Sequence, residues 1–130
     1  MDKSGKYWGI TRQIFYQNNV EVHYMEINPN GYCSEHKHKH KFNKFIVLDG
    51  ELTVKSWKSG EDAEPDAAIL NSSDECTIKP GIYHKFENNS ESITRAIEIY
   101  WTELSDCDIE RRSIGGVGVG KIHPPQHYPT

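Results

Sequence analysis

Seven histidines stand in 130 residues, three of them at positions 36, 38 and 40, and they are the side chains here best suited to chemistry. A neutral imidazole offers a nitrogen lone pair to a divalent cation. Side chains two apart on a strand leave from the same face, so His36 and His38 can converge on one point if that face lines an interior. Such a pair leaves coordination positions open for ligands from other strands. His40 shares their parity but lies at a strand-to-turn transition, and Glu35 falls on the opposite face. The competing reading of HKHKHKFNK is a solvated edge strand that carries charge and nothing more.

The elements that must position these residues are strands. From residue 8 to about 100 the pattern alternates with period two, without a persuasive helical stripe, which makes the chain all-β. Strands are expected over residues 10–16, 20–27, 45–48, 52–54, 67–70, 75–78, 83–86 and 93–101, separated by turn residues such as Pro29-Asn30-Gly31 and Lys79-Pro80-Gly81. Asp49-Gly50 reads as the turn of a hairpin joining 45–48 to 52–54. The polar, acidic stretch from 56 to 66 reads as a loop anchored by Trp57. Evenly spaced strands favour a closed barrel or double sheet that hides its edges. The expected organisation is one domain over residues 1–104 followed by an extended Gly- and Pro-rich arm over 105–130, which carries too little apolar surface to pack.

Composition narrows the function classes. Fifteen Lys and Arg against nineteen Asp and Glu give a net charge of -4, so no basic footprint for nucleic acid is present. Mean hydropathy is -0.75, no apolar run approaches membrane-span length, and the N-terminus lacks the apolar segment of a signal peptide. A cytoplasmic protein with no membrane partner is expected. Cys33, Cys76 and Cys107 are odd in number and widely spaced, which fits free thiols in a reducing compartment.

Pro80-Gly81-Ile82-Tyr83-His84-Lys85-Phe86-Glu87-Asn88 adds a histidine three residues after a Pro-Gly turn. Together with GYCSEHKHKHKFNKFIVLDGEL it resembles the paired motifs of the cupin superfamily, G-x5-H-x-H-x3,4-E-x6-G and G-x5-P-x-G-x2-H-x3-N. Gly31, His36, His38, Asn43 and Gly50 match the first in order, with four residues before the first His. Pro80, Gly81, His84 and Asn88 match the second, with Pro and Gly adjacent and Asp74 where the leading Gly is usual. The resemblance spans roughly residues 20 to 101.

That resemblance implies a cupin-type double-stranded β-helix, a jelly-roll barrel of two antiparallel sheets. It implies His36, His38 and His84 as ligands of one divalent metal ion, Fe, Mn, Ni, Zn or Co. The fourth family ligand is a Glu, and Asn43 stands there. An Asn carbonyl is a neutral, weaker oxygen donor, so an empty site is the alternative. Tyr24, Glu98 and Tyr100, with His23 and Trp101 near them, are candidates to line the barrel mouth and bind substrate. Alternation puts Ala96, Glu98 and Tyr100 on one face, and solvent is the expected side of Glu98, with the ligand cavity as the alternative. An inward-facing Arg12, Arg95, Lys44 or Lys79 would point to an anionic substrate. The expected function is a small metal-binding cupin acting on a small polar metabolite, a carbohydrate or sugar-like acid, by isomerase, epimerase or lyase chemistry. A non-catalytic small-ligand-binding or structural module and a non-haem iron dioxygenase are the alternatives; no catalytic residue is assigned. A homodimer is expected through residues 8–16 and the C-terminal arm.

Overall fold

The computed structural model describes residues 3–103 and 110–118. Nine strands run in the order β1 (Lys3–Lys6), β2 (Gly9–Gln17), β3 (Val20–Ile27), β4 (Phe42–Asp49), β5 (Leu52–Ser56), β6 (Asp66–Leu70), β7 (Glu75–Ile78), β8 (His84–Glu87) and β9 (Thr94–Trp101). They form two antiparallel sheets, β1-β2-β3-β9-β4-β7 and β6-β5-β8. Among the described residues there is no helix, hence none long and apolar enough to cross a membrane.

Period-two alternation builds the core between the sheets. Met25 and Ile27 of β3, Phe45 and Val47 of β4, and Ala96 of β9 point inward from the large sheet. Leu52, Val54, Leu70 and Phe86 meet them from the small one. Phe86 is held edge-on by Trp8 at 5.0 Å and by Phe45 at 5.9 Å between ring centroids, an arrangement that adds quadrupole attraction to apolar burial. Cys33 is buried and Cys76 half-buried, both as free thiols; Cys107 lies outside the described residues.

Two sequence expectations change. Asp49-Gly50 is not a hairpin turn, because β4 and β5 belong to different sheets. The register slips between Val47 and Asp49, Gly50 adopts φ +94°, and the Thr94 hydroxyl both accepts from Glu51 N and donates to Glu51 O. The chain therefore turns a corner from one sheet to the other, a conformation for which glycine is suited. The N-terminal β1, outside every alternating run, pairs with β2 as the edge of the large sheet. Residues 110–118 carry neither helix nor strand and are exposed; the rest of the expected arm lies outside the described residues.

Candidate metal centre

Backbone pairing brings the two histidine motifs together. His36 and His84 exchange both main-chain hydrogen bonds, at 3.0 and 2.8 Å, and Cys33 N donates to Phe86 O at 3.1 Å. The segment before β4 thus runs antiparallel along β8, as isolated bridges and not as the regular strand the spacing suggested. Gly81, at φ +84°, donates its N–H to His38 O at 2.8 Å, which ties the Pro-Gly turn of the second motif to the second histidine of the first.

The rings of His36, His38 and His84 lie 4.6 to 5.5 Å apart between centroids, and their ligand nitrogens lie within 4.8 Å of one another. Metal–imidazole bonds of about 2.1 Å hold two ligand nitrogens at most about 4.2 Å apart, a closure within reach of small χ rotations. The hydrogen-bond partners orient the lone pairs. Nδ1 of His36 donates to Ser34 O at 2.7 Å and Nδ1 of His84 donates to Ile82 O at 3.0 Å. A carbonyl can only accept, so in each neutral ring Nε2 carries the lone pair. Nε2 of His38 is buried without any hydrogen-bond partner. Burial, with His36 and Lys41 nearby, pushes the His38 ring down, and burial brings His84 down to about 4. Both rings are neutral at pH 7, the form in which imidazole ligates.

Asn43, buried on β4, stands beside the three rings. Its Nδ2 donates to Glu98 Oε2 at 3.3 Å and is 3.5 Å from Ile99 O, which turns Oδ1 toward His84 Nε2 at 3.0 Å. With Nδ1 of His84 already donating to Ile82, two acceptor atoms face one another. A divalent ion held between them would satisfy both acceptors, as would a proton on Nε2. The residues present therefore fit a divalent ion.

Glu98 corrects the solvent-facing expectation: it is 7% exposed and points into the barrel. β9 lies in the middle of the large sheet, between β3 and β4. Its inward face is Thr94, Ala96 and Glu98, while Arg95 on the other face is exposed. Apolar Ile97 and Ile99, which by hydrophobicity alone would point inward, thus lie on the outer face. Burial pushes the Glu98 carboxyl up to about 7, against the hydrogen bonds from Tyr100 and Asn43. Tyr100 is pushed up by burial and by Glu98, and its ring packs 5.0 Å from His38 and 5.8 Å from His23.

The other sequence candidates separate by face. Tyr24 lies on the outer face of the large sheet, where its hydroxyl donates to Glu26 at 2.9 Å and accepts from Arg95 Nε at 2.7 Å; the structure does not bring it to the histidines. Trp101 stacks on Phe42 at 5.4 Å, Lys44 pairs with Glu75 at 3.1 Å, and Lys79, Glu35 and His40 are exposed. Arg12 and Arg95 flank the Tyr24 ring on that outer face, at 5.2 and 5.6 Å. The polar surround near the cluster comes from Tyr100, with Glu21 and Lys41 beside it in a cavity of about 120 Å³. A larger open depression of about 1000 Å³ adjoins Ser34 and includes Lys6, Trp8 and Cys33. Asn88 proves to be structural: fully buried, its Nδ2 serves the carbonyls of Ile27, Asn28 and Ser92 while Oδ1 accepts from Ser90. Only its place in the second motif marked it in the sequence.

Barrel, sheet topology and histidine cluster together define the cupin fold, a double-stranded β-helix. No protein-family model matches the chain. Among solved structures it is similar to the cupin domain of Cnp3 from Schizosaccharomyces pombe, at 12% identity and TM-score 0.67 over 79% of this chain and 69% of that one. KdgF from Halomonas sp. matches at 11% identity and TM-score 0.67 over 82% and 91%. A double-stranded β-helix protein from Klebsiella pneumoniae matches at 18% identity and TM-score 0.63 over 76% and 81%.

Proposed function

We propose that this chain binds one divalent metal ion through His36, His38 and His84, with Asn43 as a neutral oxygen donor, and acts on a small polar metabolite of the carbohydrate or sugar-acid class. The observation that carries this reading is the convergence of three imidazoles, two of them with Nε2 freed by an Nδ1 bond to a backbone carbonyl and the third with Nε2 unpartnered. A bound divalent ion would polarise a carbonyl or hydroxyl oxygen as a Lewis acid. The protein supplies the rest. Core aromatics Phe45 and Phe86 back the site and exclude water from that side. Tyr100 and His23 present polar groups to a ligand, and the Lys41–Glu21 ion pair adds charged groups of both signs to the surround. Isomerase, epimerase or lyase chemistry, each of which moves a proton beside a carbonyl, fits this set.

The test begins with untagged protein, stripped and reloaded, followed by metal analysis; about one ion per chain is expected, falling to background in His36→Ala and His38→Ala. Loaded protein in D2O with a panel of aldonic and uronic acids is then followed by NMR. Deuterium incorporation beside the carbonyl supports proton-transfer chemistry. Saturable binding without exchange supports the second reading, a ligand-binding module, which Asn43 in the carboxylate position favours.

We also propose that the working unit is a homodimer formed through the outer face of the large sheet. Ile14, Phe15 and Leu48 are exposed there. Beside them Arg12 keeps a buried Nε without a partner, and Glu26 and Asp49 offer carboxylates on the same face. A second copy related by a two-fold axis meets Arg12 with acid and covers the apolar row.

A further inference from the structure

The Asn at position 43 leaves the three-histidine centre without an anionic ligand, and a buried carboxylate stands one strand away. Asn43 pairs with Tyr100 across β4 and β9, and Glu98 faces the same interior two residues along. The Glu98 side chain is nine-tenths buried or more, and among the described residues it forms no ion pair; its contacts are the Asn43 amide at 3.3 Å and the Tyr100 hydroxyl. A buried carboxyl with no counter-charge is costly. So is a divalent cation held by three neutral imidazoles and a neutral amide. The two deficits lie on either side of a single side chain, because the amide that donates through Nδ2 to Glu98 turns Oδ1 toward His84.

Building on the metal-binding reading above, we propose that Glu98 is the charge-compensating carboxylate of the centre, acting through the Asn43 amide as a positioning residue. The negative charge has moved from β4 to the neighbouring β9, and Asn43 relays it. A hydrogen bond to a carboxylate polarises the amide and makes its oxygen a stronger donor. It also fixes the amide against flipping, so that oxygen and not nitrogen faces the histidines.

The probe is Co2+ alone, titrated into metal-stripped full-length protein by calorimetry and followed by its visible d–d bands, with circular dichroism as the check on folding. Glu98→Gln keeps shape and removes charge, and Co2+ affinity is expected to fall about 10- to 100-fold. Asn43→Leu removes the oxygen donor and the relay together and is expected to lose affinity, and E98Q added to Asn43→Leu is expected to cost nothing more, which ties the Glu98 effect to the amide; a further loss in that double variant overturns the relay. Asn43→Glu in the E98Q background returns a carboxylate to β4 and is expected to regain wild-type affinity; a loss in E98Q that this carboxylate does not restore overturns the charge-compensating role. Wild-type affinity in folded E98Q or in N43L overturns the proposal while leaving the three-histidine centre intact. Folded wild-type protein that takes up no Co2+ overturns both.

Discussion

At the scale of single residues, the centre rests on His84 and Asn43. His84 is buried, bonded to Ile82 O on one side and facing Asn43 on the other, so His84→Ala removes the one ligand that β8 contributes. Divalent binding is expected to disappear in calorimetry. Asn43→Glu behaves differently because Glu98 already lies 3.3 Å from the amide it replaces. Two carboxylates at that separation cannot both ionise without cost, so the metal-free variant is expected to lose on the order of 1–3 kcal/mol. A bound cation relieves the repulsion and divalent binding tightens. Urea denaturation with and without Zn2+ reads both effects: lower midpoint without metal, larger gain with it. Equal midpoints without metal would place the new carboxylate away from Glu98.

At the scale of elements, the corner between β4 and β5 decides how the first histidine motif joins the second sheet. A Cβ at Gly50 would sit 2.9 Å from Thr94 Oγ1 and 3.1 Å from Thr94 Cα, at φ +94°. Gly50→Ala is therefore expected to cost about 1–3 kcal/mol in chemical denaturation, with Co2+ affinity unchanged because the corner lies outside the centre. On the outer face of the small sheet, Glu87 of β8 takes Lys55 of β5 at 3.1 Å and Lys85 at 3.0 Å. Burial raises the Glu87 carboxyl, and the bonds from Lys85, Lys55 and Asn89 more than reverse it, leaving it below the ordinary carboxylate range. A group lowered in the folded state contributes stability above its unfolded pKa, and that contribution is lost as pH falls through the folded value. Wild-type stability should thus drop more than that of Glu87→Gln as pH falls from about 5 toward 3; parallel curves would remove the pairs from the stability of β5 and β8.

At the scale of the whole molecule, the large sheet has one face in the barrel and one carrying Phe15 at 51% exposure and Leu48 at 47%. An antiparallel sheet can leave one face in water, but with an apolar row there it does so poorly. Sedimentation at micromolar concentration is expected to give about twice the 15.0 kDa chain mass, and Phe15→Asp to return the monomer mass without loss of metal. A wild-type monomer would leave that face to some other use.

The sequence by itself determined that the chain is all-β, because period-two alternation is written locally, strand by strand, and the observed β3 and β7 have the expected bounds. It also marked His36, His38 and His84, since the Pro-Gly turn and the His-x-His spacing are local too. It did not determine which of two alternating faces is inside. For β9 the apolar residues Ile97 and Ile99 suggested the wrong side for Glu98, because a sheet face is assigned by what packs against it and the inward face here is partly polar. Nor could it show that β4 and β5 part company at Gly50, or that Tyr24 and Tyr100 lie on opposite sides of one sheet. Strand partners and sheet closure join residues far apart in the chain, such as Asn43 with Glu98 and His36 with His84. Those contacts depend on long-range register, which no local pattern encodes and which only the packing of the two sheets decides.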